Sequence, residues 1–298
     1  LLRRYYANRY FFLMLLPVIV YFAVFHYTPI YGVLMAFQDY KILKGISGST
    51  FVGFKYFREL FSGLYFVPVL KNTLIINAYK LIFGFPAPIV LALLINEVMR
   101  PAFKKLVQTI SYLPYFLSWI VLSGIFIEIL SPSRGMINIM LMHLGFKPIF
   151  FLASTDWFRT VLVSTEIWKG IGFSAIIYLA AIAGINPDMY EAGDVDGISR
   201  LQKIWYITLP SISPVIVIMI ILTSGSIIND DFDQIFNLLN PNVSSVGEVI
   251  STYTYVEGIS KMNYSYAAAV GLFKNVVALV MVITANFIAR KFSDHTIF

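Results

Sequence analysis

Seven charged or amide side chains interrupt otherwise apolar stretches of this 298-residue sequence: Asn77, Lys80, Glu128, Glu166, Lys169, Lys274 and Asn275. Such groups are costly in lipid, so each must meet a partner, a water-filled cavity or a polar ligand. Glu166 and Lys169 stand three apart, a spacing that lets them pair on one helix face. Lys80 and Lys274 have no opposite charge at that spacing. Three fates are open to them: snorkelling to the surface, pairing across helices, or holding an anionic ligand. Other chemistries are poorly supported. The chain has no cysteine, hence no disulfide, thiolate metal site or cysteine nucleophile. His26, His143 and His295 are too dispersed for a metal constellation and read as structural or interfacial, and nothing resembles a Ser/His/Asp site. No G-x-x-x-x-G-K loop cradles a phosphate, and Gly170-Ile171-Gly172 lies in an apolar run, where it reads as helix packing. Asp230, Asp231 and Asp233 read as a solvated acidic turn, with calcium or a protein partner as the other possibility.

The elements that position these groups follow from composition. Hydrophobic residues make up 58% and charged residues 13%, with a mean hydropathy of +0.77; ordinary soluble domains are about half apolar and about a quarter charged. The excess arrives in runs long enough to cross a bilayer, which predicts six spans: Phe11 to Phe37, Leu70 to Ile95, Leu106 to Leu130, Phe158 to Gly184, Tyr206 to Ile228 and Ala267 to Ala289. Prolines at 17, 29, 86, 88, 114, 210 and 214 predict kinks within them. Met136 to Leu144 reads as an interfacial helix. The net charge of +6 is explained by basic helix ends rather than by nucleic acid. The chain begins Leu1-Leu2-Arg3-Arg4 without methionine, so its true N-terminus is expected upstream.

Basic loop residues favour both termini in the cytoplasm. About ten fall inside on that arrangement (Arg3, Arg4, Arg9, Arg100, Lys104, Lys105, Arg200, Lys203, Arg290, Lys291), against about eight outside, chiefly Lys41, Lys44, Lys55, Arg58, Arg134, Lys147 and Arg159. The stretch from Asn186 to Pro210 then faces the cytoplasm and reads as two short helices. Asn186 can cap the first, with Pro187 at its first position and Asp188 and Glu191 near its positive end. Gly197 ends it, and Ser199 with Gln202 forms a capping box that starts the second. Small Ala192 and Gly193 would admit a close partner. An ordinary connector lying on lipid headgroups is the alternative.

Glu191-Ala192-Gly193, then Gly197, then nine residues to Ile207-x-Leu209-Pro210, resembles the E-A-A-x-x-x-G motif of type I ABC importer permeases. Gly193 departs from the usual second alanine and is expected to loosen the helix. Asp196-Gly197-Ile198-Ser199, Asn72-Thr73-Leu74, Ala92 to Glu97 and Leu113 to Trp119 are similar to the carbohydrate-uptake branch, alginate-oligosaccharide permeases included. The resemblance implies an all-α polytopic bundle of six transmembrane helices, one permease domain over 1–298 with a cytoplasmic coupling helix within 186–210. It implies a bacterial inner-membrane location, a second permease subunit, two ATPase subunits carrying ATP and magnesium, and an extracytoplasmic binding protein delivering an oligosaccharide. No cofactor or catalytic residue is implied in this chain. Coupling would fall to Glu191, Ala192, Gly193, Asp196, Gly197 and Pro210. Candidates for the substrate path are Asn77, Lys80, Trp119, Trp168, Tyr178, Lys274 and Asn275, since sugars are held by aromatic faces and polar groups in a cavity at membrane depth. An ion-driven secondary transporter is the rival class, but it would normally place acids deep in several spans and show paired broken helices. A membrane enzyme would need convergent catalytic groups, which are not found.

Overall fold

A computed structural model of the chain describes residues 9–224 and 228–292, with side chains over 10–223, 228–284 and 286–287. Arg3, Arg4 and His295, three residues of the predicted fifth span, and the Arg290 and Lys291 side chains lie outside that description. Among the described residues, five helices are long and apolar enough to cross a bilayer: α1 (Tyr10–Phe37), α3 (Phe66–Asn96), α7 (Thr155–Ala183), α9 (Arg200–Thr223) and α12 (Tyr264–Phe292, apolar through Thr284). The predicted third span is instead a broken pair, α4 (Pro101–Phe116) and α5 (Trp119–Ile129), bent by 105°. The break has a local cause. Pro114 lies in a tightened turn at the end of α4, and Ser118, in extended conformation, restarts the helix by accepting a bond from the Val121 amide. Shorter helices complete the chain: α2 (Lys55–Ser62), α6 (Met136–His143), α8 (Pro187–Val195), α10 (Phe232–Leu238) and α11 (Ile250–Tyr255).

Proline shapes three long helices in the same way. Widened π turns occupy Ala23–Tyr27 in α1, Lys80–Gly84 in α3 and Ile204–Thr208 in α9. Each stops two residues before a proline: Pro29, Pro86 and Pro210. A proline donates no amide hydrogen and its ring collides with the carbonyl four residues back, and one extra residue in the preceding turn relieves that collision. At these three prolines the distortion is a local change in pitch.

By its internal contacts the chain groups into two compact units. The first comprises residues 1–66 and 254–275. It holds α1, a hairpin pairing β1 (Gln38–Asp39) antiparallel to β2 (Thr50–Phe51), α2, and the start of α12. Buried Phe66 meets Phe61 and Phe273 edge to face, and those two meet each other likewise. Tyr56 donates to the Asp39 carboxylate at 3.0 Å, and the Tyr40 amide donates to Ser265 at 2.9 Å.

The second unit comprises residues 67–253 and 276–298. Ala92 of α3, Ala175, Tyr178 and Ile182 of α7, and Ile212 of α9 form one buried cluster. Ile76, Phe158, Leu162, Ile235, Leu238, Val243 and Val249 form another, under the loop that carries α10. Close helix contact depends on Gly172, where a Cβ would lie 2.1 Å from the Ser111 carbonyl oxygen of α4. Gly170 meets nothing comparable and lines a cavity. Asn72 ties α3 to the segment after α10: its amide donates to the Ser245 and Glu248 carbonyls, and its oxygen accepts from Arg159 at 2.8 Å.

Candidate functional site

Two sites emerge within the second unit, an elbow and a cavity. The elbow begins where Asn186 caps α8 by accepting from the Asp188 amide at 3.1 Å, with Pro187 in the first turn. It ends in a Schellman turn. The Ile198 amide donates to the Gly193 carbonyl and the Gly197 amide to the Asp194 carbonyl, both at 3.1 Å, around Gly197 at a φ of +70°. Asp196 is the C-cap. Ser199 and Gln202 then form a complete capping box that opens α9.

Three contacts clamp α8 to the root of α9. The Tyr190 and Thr208 hydroxyls hydrogen-bond at 2.9 Å, and Asp194 pairs with Lys203. Gly193 is buried beneath Ile198 and Ile207, where an added Cβ would come within 2.9 Å of Ile198 Cδ1. This corrects the expectation that Gly193 faces a partner. It faces inward, and its missing side chain lets the two helices close. Glu191 and Ala192 stand exposed, as do Met189 and Val195, the last at 89%. Pro210 lies two residues past the π turn of α9.

The cavity, of about 250 Å³, is lined by residues of α3, α7 and α9 together with Asn229. Asn77, Lys80 and Tyr178 line it; of the remaining substrate candidates, Trp119 is buried against Asp231 and Trp168 stands half exposed against Phe126. Lys274 and Asn275 belong to the first unit, half-buried and exposed respectively. The pairing of charges differs from the local reading. Glu166 meets Lys80 across helices, whereas Lys169 lies over the Trp119 ring, 4.7 Å from its centre. Lys80 also donates to Gln234 at 3.1 Å. Gln234 is fully buried, and its amide nitrogen donates to the Leu162 carbonyl and to Thr165. Nothing in the sequence singles out Gln234 from the other amides around it, Asn229, Asn237 and Asn240. Glu128 pairs with Arg134 at 2.8 Å. Asp231 caps α10 and accepts from Trp119, and Asp230 accepts from the Ser251 amide, so the acidic turn is built into the fold. Among the described residues no cluster of three metal-ligating side chains occurs. His26 sits against Phe22 and Tyr21, and His143 bonds the Ile139 carbonyl.

Long apolar helices around a largely apolar cavity that holds one ion pair, with an elbow clamped to one of them, define a multi-pass membrane translocation subunit. The chain belongs to the family described as binding-protein-dependent transport system inner membrane component, whose match covers residues 84–295. It is 43% identical over 291 residues to the polygalacturonan/rhamnogalacturonan transport system permease protein YteP of Bacillus subtilis (strain 168), covering 98% of this chain and 91% of that one. It is 40% identical to Protein LplB of the same organism, covering 98% and 92%. Among solved structures it matches a chain of the bacterial alginate ABC transporter in complex with alginate pentasaccharide-bound periplasmic protein. The TM-score is 0.92 and the identity 41%, covering 100% of this chain and 99% of that chain. It is therefore a permease component of a binding-protein-dependent ABC importer.

Proposed function

We propose that this chain forms half of the translocation path for an oligosaccharide in a bacterial cytoplasmic membrane, acting as one permease with both termini in the cytoplasm. A second permease subunit pairs with it, two ATPase subunits hold ATP and magnesium, and an extracytoplasmic binding protein delivers the sugar. An acidic sugar is favoured because the similar proteins include one named for polygalacturonan and one that imports the acidic polysaccharide alginate. The substrate path runs through the cavity beside Asn77, Lys80 and Tyr178.

The observation that carries the coupling role is the clamp. Because Gly193, Tyr190 and Asp194 lock α8 onto the base of α9, force applied to exposed Glu191 and Ala192 moves α9 as a body rather than bending a loop. Closure of the ATPase dimer would supply that force. Glu191→Ala removes an exposed contact and leaves the clamp intact, so the assembled complex should keep its thermal stability and hydrolyse ATP while uptake falls by about tenfold or more, as for an interface anchor worth over 1.4 kcal/mol. Uptake equal to wild type in reconstituted vesicles would remove the coupling role.

A further inference from the structure

Resting on that reading of the cavity, we propose that Lys80 and Asn77 form a donor pair for a carboxylate on the sugar, and that Glu166 is an exchangeable counter-ion. On this account Glu166 pairs with Lys80 when the site is empty and moves toward Lys169 when a substrate carboxylate takes its place. Three observations carry the proposal.

The first is an imbalance within the ion pair. Lys80 is pinned: its side chain is 11% exposed, and it donates to Gln234, which is itself fixed to the Leu162 carbonyl and Thr165 of α7. Glu166 is 37% exposed at the cavity wall. The cation is held by a second hydrogen bond, to Gln234, whereas Lys80 is the one partner of Glu166 among the described residues.

The second is an unmet donor. Asn77 is 5% exposed, lines the same cavity, and its amide nitrogen has no hydrogen-bond partner among the described residues. It stands three residues before Lys80 on α3, hence on the same helix face. An ammonium has three donors and no acceptor, and Lys80 spends two on Gln234 and Glu166. A group with two acceptor oxygens would meet both residues.

The third is charge balance. Among the described residues, Lys80 and Glu166 are the only Lys, Arg, Asp or Glu side chains lining the cavity. A neutral hydroxyl that displaced Glu166 would leave a cation unpaired away from water, which is costly. A carboxylate exchanges charge for charge. Glu166 in turn has Lys169 one turn along α7, where it now rests on the Trp119 ring. The shared chemistry is that of an oxyanion, and the source we assign is a uronate rather than a sugar phosphate.

The test uses the complete importer with its binding protein in proteoliposomes. Uptake of trigalacturonate and of neutral galactotriose is compared in wild type, in Lys80→Met/Glu166→Gln, which removes the pair without leaving a lone buried charge, and in Lys80→Arg. The acidic-to-neutral uptake ratio should fall about tenfold in the double variant, the scale of one charged hydrogen bond, and recover in Lys80→Arg. Asn77→Leu should lower the ratio in the same direction. A ratio unchanged from wild type in the double variant, with uptake measurable, overturns the proposal and leaves the importer reading standing. Competition by galactose 6-phosphate as strong as by galacturonate overturns the carboxylate assignment. Wild-type uptake of neither sugar overturns the reading of the cavity as a path for an acidic oligosaccharide and this proposal together.

Discussion

Tyr56 shows how a single side chain outside the membrane spans links burial to pH. It is 7% exposed, its hydroxyl donates to Asp39, and burial first, then that hydrogen bond, raise its pKa above the ordinary tyrosine value. A raised value stabilises the fold while the phenol is protonated, and the contribution is lost as pH climbs through it. Tyr56→Phe should therefore cost about 0.5–1.5 kcal/mol near neutral pH, and the gap between variant and wild type should close above about pH 10. Thermal unfolding of the purified complex across that range checks it; a gap that widens with pH would contradict the assignment. Legibility at this scale followed sequence distance. The Asn186 cap and the Ser199–Gln202 box were readable because both bonds close within three residues. Lys80 was not, because its partners Glu166 and Gln234 lie far along the chain, and the helical spacing rule gave Glu166 the neighbour Lys169 instead.

Among the elements, the long helices were readable from hydropathy, and their distortions from chemistry that hydropathy averages away. The run from Leu106 to Leu130 reads as one span, yet Pro114 and the Ser118 cap divide it at 105°. Both signals are present in the sequence but are outweighed by the apolar residues around them. The phrase Asn72-Thr73 was recognisable only as a resemblance. Its physical task is to anchor α3, through Arg159 and the carbonyls beside Asn72 and through the Ile250 amide donating to Thr73. Helix contact gives this scale its prediction. Since a Cβ at Gly172 would lie 2.1 Å from backbone oxygen, Gly172→Val must push α7 away from α4. The expected cost is about 1–3 kcal/mol or more, seen as a lower unfolding temperature of the detergent-purified complex. The same change at Gly170, where nothing lies within 4 Å, should cost far less. Equal destabilisation at the two positions would refute the packing account.

At the scale of the whole molecule, the most apolar stretch of α1 has no buried residue among the described residues. Lipid or a second permease must supply its surroundings. The match along nearly the entire length to permeases of binding-protein-dependent importers accounts for such a surface, and for the lack of any phosphate-binding loop in the sequence. What remains is whether the elbow is the point at which ATP-driven motion enters. The chain has no cysteine, so Ala192→Cys on exposed α8 introduces a single thiol into the permease. In the assembled importer with a cysteine placed in the ATPase docking groove, oxidation should join permease to ATPase and stop uptake, with reduction restoring it. Failure to cross-link, together with labelling of that thiol from outside sealed cells by a membrane-impermeant maleimide, would contradict the account.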